Sequence, residues 1–129
     1  MEIEIIDIGV KIHETPLDEI YTDPELNKII VEFDDINENR WKVSFGPCQG
    51  LKKTTIDCFD YTILFVNDEY PRSLLKVNNS SWLKEMNLVL KQKDPHATFM
   101  DKSIHFIFPF QDDILEIAAW GDFKVERIS

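Results

Sequence analysis

The chain has 129 residues, 43% of them apolar and 12% aromatic, with a formal net charge of −10. That length suits one domain, residues 1–129, and an apolar content this high excludes intrinsic disorder. The charge argues against nucleic acid and against an anionic membrane surface, because both demand clustered Lys and Arg and the longest basic run is Lys52-Lys53.

The first element alternates Ile3 and Ile5 with Glu2 and Glu4, which is strand patterning. The phase then shifts to Ile6, Ile8, Val10 and Ile12, and Gly9 fits a bulge or bend there. Pro16 ends the element, and residues 14–25 read as an acidic loop with one helical turn at most. Leu26 to Asp34 is a strand with Ile29, Val31 and Phe33 on one face. A polar turn at 34–39 leads to a second strand, Arg40 to Phe45, with Trp41, Val43 and Phe45 alternating against Lys42 and Ser44. Together they form an N-terminal hairpin, which Gly46-Pro47 ends. Thr54 to Phe59 is weakly strand-like. Tyr61 to Val66 is continuous and β-rich, the pattern of a strand covered on both faces, and Asn67-Asp68 closes it. Leu74 to Val77 is a short strand or part of a loop.

One segment is helical. Ser80 or Ser81 caps it, and Trp82, Met86, Val89 and Leu90 recur at helical spacing with Leu83 beside them. Lys91 and Lys93 suit its C-terminal end, and Asp94-Pro95 stops it. Beyond it, Ile104, Phe106, Phe108 and Phe110 share one parity, placing His105 on the less buried face. Ile114 to Trp120 and Phe123 to Ile128 follow after turns, completing a C-terminal three-strand meander. The expected fold class is therefore α+β: a mostly antiparallel sheet of about six to eight strands packed with one long helix near residues 81–93.

Motifs that state a chemistry are missing. The four glycines, Gly9, Gly46, Gly50 and Gly121, cannot build a phosphate-cradling loop or a hydrolase elbow. Asp35-x-Asn37-x-Asn39 begins like a calcium loop, but Arg40 and Gly46 stand where that loop needs Gly and a bidentate Glu. His13, His96 and His105 have no metal-ligand spacing. Cys48 and Cys58 read as two reduced thiols, with no metal-type pairing. The expectation is no enzyme, no cofactor and no metal. No leader or spanning segment is visible, so a cytoplasmic location is expected.

What remains is the placement of charge. Residues 1–38 carry twelve carboxylates against Lys11 and Lys28, whereas residues 39–129 balance to zero. An acidic surface of this kind suits docking to a basic protein, since complementary fields accelerate encounter. The candidate partner-binding residues are Asp18, Glu19, Asp23, Glu25, Asp34, Asp35 and Glu38, dense on loop-like segments where recognition resides. The alternatives are a small enzyme using His96 or His105, and a structural or assembly subunit with exposed sheet edges.

The C-terminal half also carries a resemblance. The helix start Ser80-Ser81-Trp82-Leu83-Lys84-Glu85, the strand Ile104-His105-Phe106-Ile107-Phe108 and the run Asp112 to Ala119 resemble small acidic bacterial immunity proteins of polymorphic toxin and contact-dependent inhibition systems. The resemblance covers about residues 80–120. It implies an antidote that binds one cognate toxin domain and blocks it, and the acidic charge points to a basic, nuclease-type toxin whose active site is occluded. It carries over no site residues, and the partner would meet a monomer or weak homodimer.

Overall fold

The computed structural model describes residues 2–13 and 19–128. Among these, nine strands form two antiparallel sheets. The strands are β1 (Glu2–Ile6), β2 (Glu19–Asp23), β3 (Lys28–Asp34), β4 (Arg40–Phe45), β5 (Cys48–Thr55), β6 (Leu74–Asn78), β7 (Ser103–Pro109), β8 (Asp113–Trp120) and β9 (Lys124–Arg127). One helix, α1 (Ser81–Lys93), lies between β6 and β7. The larger sheet has the order β1-β6-β7-β8-β5 and the smaller β2-β3-β4-β9. The α+β class is as expected.

The two sheets pack face to face. Val31, Phe33, Val43 and Phe45 of the smaller sheet meet Phe106, Phe108, Leu115, Ile117 and Ala119 of the larger. Phe45 is the hub: its ring centroid lies 4.8 Å from Phe106, 5.8 Å from Phe108 and 5.8 Å from Phe123. The expected β3–β4 hairpin forms with Val31 opposite Val43 and Phe33 opposite Trp41. Its alternating pattern is that of a sheet with one face on the core and one toward water.

The larger sheet is covered on both faces, which explains the unbroken burial of β8 from Ile114 to Ala119. Leu75, Val77, Ile107 and Ile114 point away from the sandwich and pack with Leu64. Helix α1 covers the rest of that face. Gly50 is needed there, because a Cβ on it would stand 2.9 Å from the Trp82 ring. Ser80 is the cap, accepting the Leu83 amide at 3.2 Å. Leu88 and Val89 stay exposed on the outer side of the helix, so the buried stripe does not include Val89.

Several elements differ from expectation for identifiable reasons. Glu19–Asp23, within the presumed loop, is a short edge strand beside β3. Tyr61 to Val66 is no strand: Tyr61–Leu64 forms a 3₁₀ turn that buries only Leu64. β7 and β8 pair as expected, but the meander stops there. β9 crosses to the smaller sheet and pairs with β4, matching Val125 with Val43. β5 takes the place beside β8 at the edge of the larger sheet. His105 is buried, not half-exposed, because α1 closes over its face.

Candidate functional site

The acidic residues singled out from sequence do not converge. β3 is seven residues long, so its two ends are about 20 Å apart. Asp23 and Glu25 lie at one end, in the β2–β3 turn, where the Asp23 carboxylate accepts the amides of Glu25 and Leu26. Asp34, Asp35 and Glu38 lie at the other end, in or beside the β3–β4 turn. Glu19 belongs to that second end, because it pairs with Glu32 two residues before Asp34. Asp18 lies outside the described residues.

Most of these carboxylates have internal work. Arg40 lies 3.8 Å from Glu19, 3.6 Å from Glu32 and 3.1 Å from Asp34, on the outer face of the smaller sheet. Asp35 is buried and organises the β3–β4 turn. Its Oδ1 accepts the amides of Asn37 and Asn39 at 2.8 and 2.9 Å, and its Oδ2 accepts the Trp41 indole N–H at 2.8 Å. Burial raises its pKa, but these hydrogen bonds outweigh that and hold the carboxyl below its ordinary value. The same donors occupy the oxygens a calcium ion would need. Glu25 and Glu38 remain exposed at opposite ends.

A different arrangement emerges around the β3–β4 turn. Residues 11–13 act as a seam. The His13 amide donates to the Asp34 carbonyl, the Ile36 amide donates to Lys11, and the Ile12 amide donates to Arg72. The seam joins the turn to the 56–73 segment, and between them opens a groove of about 1310 Å³. Ile36 contributes from the turn, Ile5 from β1, and Phe59, Tyr61, Phe65 and Tyr70 from the long connection. Three of these rings pack together, at centroid distances of 6.1 Å for Tyr61–Phe65, 6.2 Å for Tyr61–Tyr70 and 6.5 Å for Phe65–Tyr70. The Tyr70 hydroxyl donates to the Phe110 carbonyl at 2.8 Å and anchors the cluster to the sandwich. Tyr61 and Phe65 stay 43% and 42% exposed, in contrast to the buried Phe rings of the core.

The segments around the groove are acidic, although its own lining is balanced, with Asp57 and Glu69 against Lys11 and Arg72. The four segments that wall it, 2–13, 34–39, 54–73 and 109–113, carry twelve carboxylates against two bases, Lys11 and Arg72. Glu4, Asp34 and Asp113 are offset by Lys76, Arg40 and Lys53. Asp57 and Glu69 line the groove itself, and Asp60 and Asp68 are exposed on the same connection. Residues 54–71 contain four carboxylates, three groove aromatics of the cluster and no base. That composition was the available signal. It is masked when residues 39–129 are summed, because the stretch from Arg72 to Lys102 is rich in lysine.

The histidines are dispersed. His13 lines the groove, His96 is exposed after α1, and His105 is buried. His105 Nδ1 is 2.7 Å from the Ser80 hydroxyl, and its Nε2 is 2.8 Å from Glu116 Oε1. The Trp82 ring stands edge-on at 4.9 Å, and Lys52 lies 4.4 Å above Trp82. The order hydroxyl, imidazole, carboxylate is that of an acyl-transfer triad. Here, however, the Ser80 oxygen is occupied in capping α1, all three side chains are buried, and the groove does not reach them. The network ties the helix to the sheet.

Both cysteines are free. Burial pushes the Cys48 thiol up to about 11, whereas Cys58 is exposed. Among the described residues no group of three His, Cys, Asp or Glu is arranged to hold a metal ion. No helix among them is long and apolar enough to cross a membrane. Comparison with protein families, curated proteins and solved structures finds no match to this chain.

Proposed function

We propose that this chain is an immunity-type inhibitor, which docks a basic, nuclease-type toxin domain on the groove face and occludes its active site. The observation that carries this reading is that the exposed rings Tyr61 and Phe65 lie on a connection whose residues 54–71 hold four carboxylates and no base. Large rings at the centre of a patch supply most of the binding energy in protein interfaces. Charges at the rim accelerate encounter and choose the partner. An enzyme that grips phosphates presents a cationic surface, and a ring of carboxylates competes for it directly. The candidate surface is therefore Tyr61, Phe65 and Tyr70, with Glu38, Asp57, Asp60, Asp68 and Glu69 around them.

The genomic counterpart of this function is a secreted toxin gene beside the gene for this chain. The direct test titrates the toxin's nuclease domain with the wild type and with a Glu38→Lys, Asp57→Lys, Asp60→Lys, Asp68→Lys variant at two salt concentrations. The expected result is inhibition by the wild type, at least about tenfold weaker binding by the variant, and a flatter salt dependence. Undiminished binding by the variant overturns the groove as the docking face. Absence of inhibition by the wild type overturns the function.

A further inference from the structure

We infer that the outer face of α1 is a second docking surface, and that its occupant is an acidic amphipathic helix of another protein. This surface is separate from the groove, which no residue of α1 lines. Three observations support it.

The first is incomplete burial. Helix α1 carries Trp82, Leu83, Met86, Leu88, Val89 and Leu90, yet none of its residues is buried. Its inner side rests on the larger sheet, where Trp82 stands against His105 and Gly50. On its outer side Leu88 and Val89 are 65% and 52% exposed, and Leu88 is the most exposed large apolar side chain among the described residues.

The second is charge. Lys84, Leu88 and Lys91 follow one another at four- and three-residue spacing and form one ridge of the helix, and Glu85, Val89 and Lys93 form the next. Lys52, over the Trp82 ring, adds a cation near the start of the helix. Lys42, Lys53, Lys76 and Lys124 have carboxylate partners, whereas Lys52, Lys84, Lys91 and Lys93 form no ion pair with the described residues. Lys84 and Lys91 bond instead to the uncharged oxygens of Asn79 and Ala97. These four lysines stand against one carboxylate on the helix, Glu85, with Asp94 and Asp101 beyond its C-terminal end. Exposed charges are screened over about 8 Å at physiological ionic strength, so the local sign, not the net −10, selects what docks here.

The third is shape. Between the two ridges runs a furrow with Leu88 and Val89 on its sides, and the apolar ridge of a second helix packs into such a furrow. Glutamates flanking that ridge come opposite Lys84 and Lys91 on one side and Lys93 on the other, the arrangement by which flanking charges choose a helical partner. An apolar centre inside a charged rim is the general anatomy of a protein interface. The surface is also formed in advance, because the Ser80 cap and its contact with His105 fix α1 to the sheet, and a fixed surface loses less entropy on binding.

The test uses the full chain and a synthetic amphipathic helix with leucine at the a and d positions and glutamate at e and g, followed by amide chemical shifts. Like charges at e and g oppose pairing of that peptide with itself. It is expected to give saturable shifts centred on Lys84, Leu88, Val89 and Lys91, and the same peptide with lysine at e and g is expected to give none. Lys84→Glu, Lys93→Glu protein is expected to bind the glutamate peptide about tenfold more weakly, and Leu88→Ser, Val89→Ser protein likewise. Glu85→Lys protein lacks the one carboxylate of the face and is expected to bind about two- to fivefold more tightly, a gain that misfolding does not produce. Equal binding of the two peptides, unchanged binding by all three variants, or shifts confined to residues outside α1 overturns the surface. Phosphatidylglycerol vesicles that shift the same amides when the glutamate peptide does not assign the face to a membrane and overturn the inference. Self-association of the chain that Leu88→Ser, Val89→Ser abolishes assigns it to a second copy and overturns it as well.

Discussion

His105 Nε2 and Glu116 Oε1 lie 2.8 Å apart on adjacent strands, buried between the larger sheet and helix α1. With Glu116 ionised, a neutral ring carries its proton on Nε2 and accepts the Ser80 hydroxyl proton at Nδ1. Glu116→Ala strands that ring N–H without an acceptor and is expected to cost about 3 kcal/mol. Glu116→Gln keeps an amide oxygen in reach and is expected to cost about 1 kcal/mol. Urea unfolding of the two variants measures the difference. Equal losses would show that the hydrogen bond does not hold the helix to the sheet.

The Asp35 turn predicts a definite pH dependence. Its carboxyl titrates below the ordinary value of 3.8 because hydrogen bonds to the charged form outweigh burial. The stability it contributes is therefore complete above that value and is lost as pH falls through the lower, folded-state value. Trp41→Phe removes one donor and brings the folded-state value closer to the ordinary one. The variant should be less stable than wild type near neutral pH, and the gap should narrow below about pH 3.8. Urea midpoints at pH 7 and pH 3 check this, and a gap that stays constant would assign the loss to packing alone.

Phe45 joins the two sheets through ring contacts to Phe106 and Phe108, and it also packs on Phe123. Phe45→Ala leaves a cavity at a position with 0% exposure and should cost about 3–5 kcal/mol. Domains of this size have a total stability of about 5–15 kcal/mol, so the variant should be folded but marginal. Its melting temperature and urea midpoint give the measurement.

The thiols should react unequally. Cys58 is exposed, whereas burial raises the pKa of the Cys48 thiol to about 11 and keeps it protonated. Ellman's reagent at pH 8 should label one thiol per chain quickly, and Cys58→Ser should remove that phase. Two equally fast phases would contradict the burial of Cys48.

The elements legible in sequence were those whose patterns arise locally. β3 and β4 alternate because the smaller sheet has one dry face, and α1 announces itself through the Ser80 cap. β2 was invisible because an edge strand such as Glu-Ile-Tyr-Thr-Asp buries little and therefore shows little pattern. Tyr61 to Val66 has the composition of a strand, yet nothing pairs with it along its length, and a 3₁₀ turn with Leu64 as its plug satisfies it instead. The burial of His105 depends on α1 crossing that face, which no single strand can report. The acidic bias was visible, but its location was not. Counting along the chain assigned it to residues 1–38, whereas the connection 54–73 carries four further carboxylates, of which Asp57 and Glu69 line the groove.

The pairing of β1 with β6 and of β4 with β9 joins strands separated by roughly seventy and eighty residues. Long loops must close before either pairing gives anything back, and slow folding on the millisecond-to-second scale is typical of such topologies. β9 follows the other eight described strands in the chain, and until it docks, Val43 and Phe45 lie on an open edge of the smaller sheet. A chain in which β9 has yet to dock therefore exposes the aromatic-bearing strand β4 longest, and its net negative charge keeps such chains apart from one another.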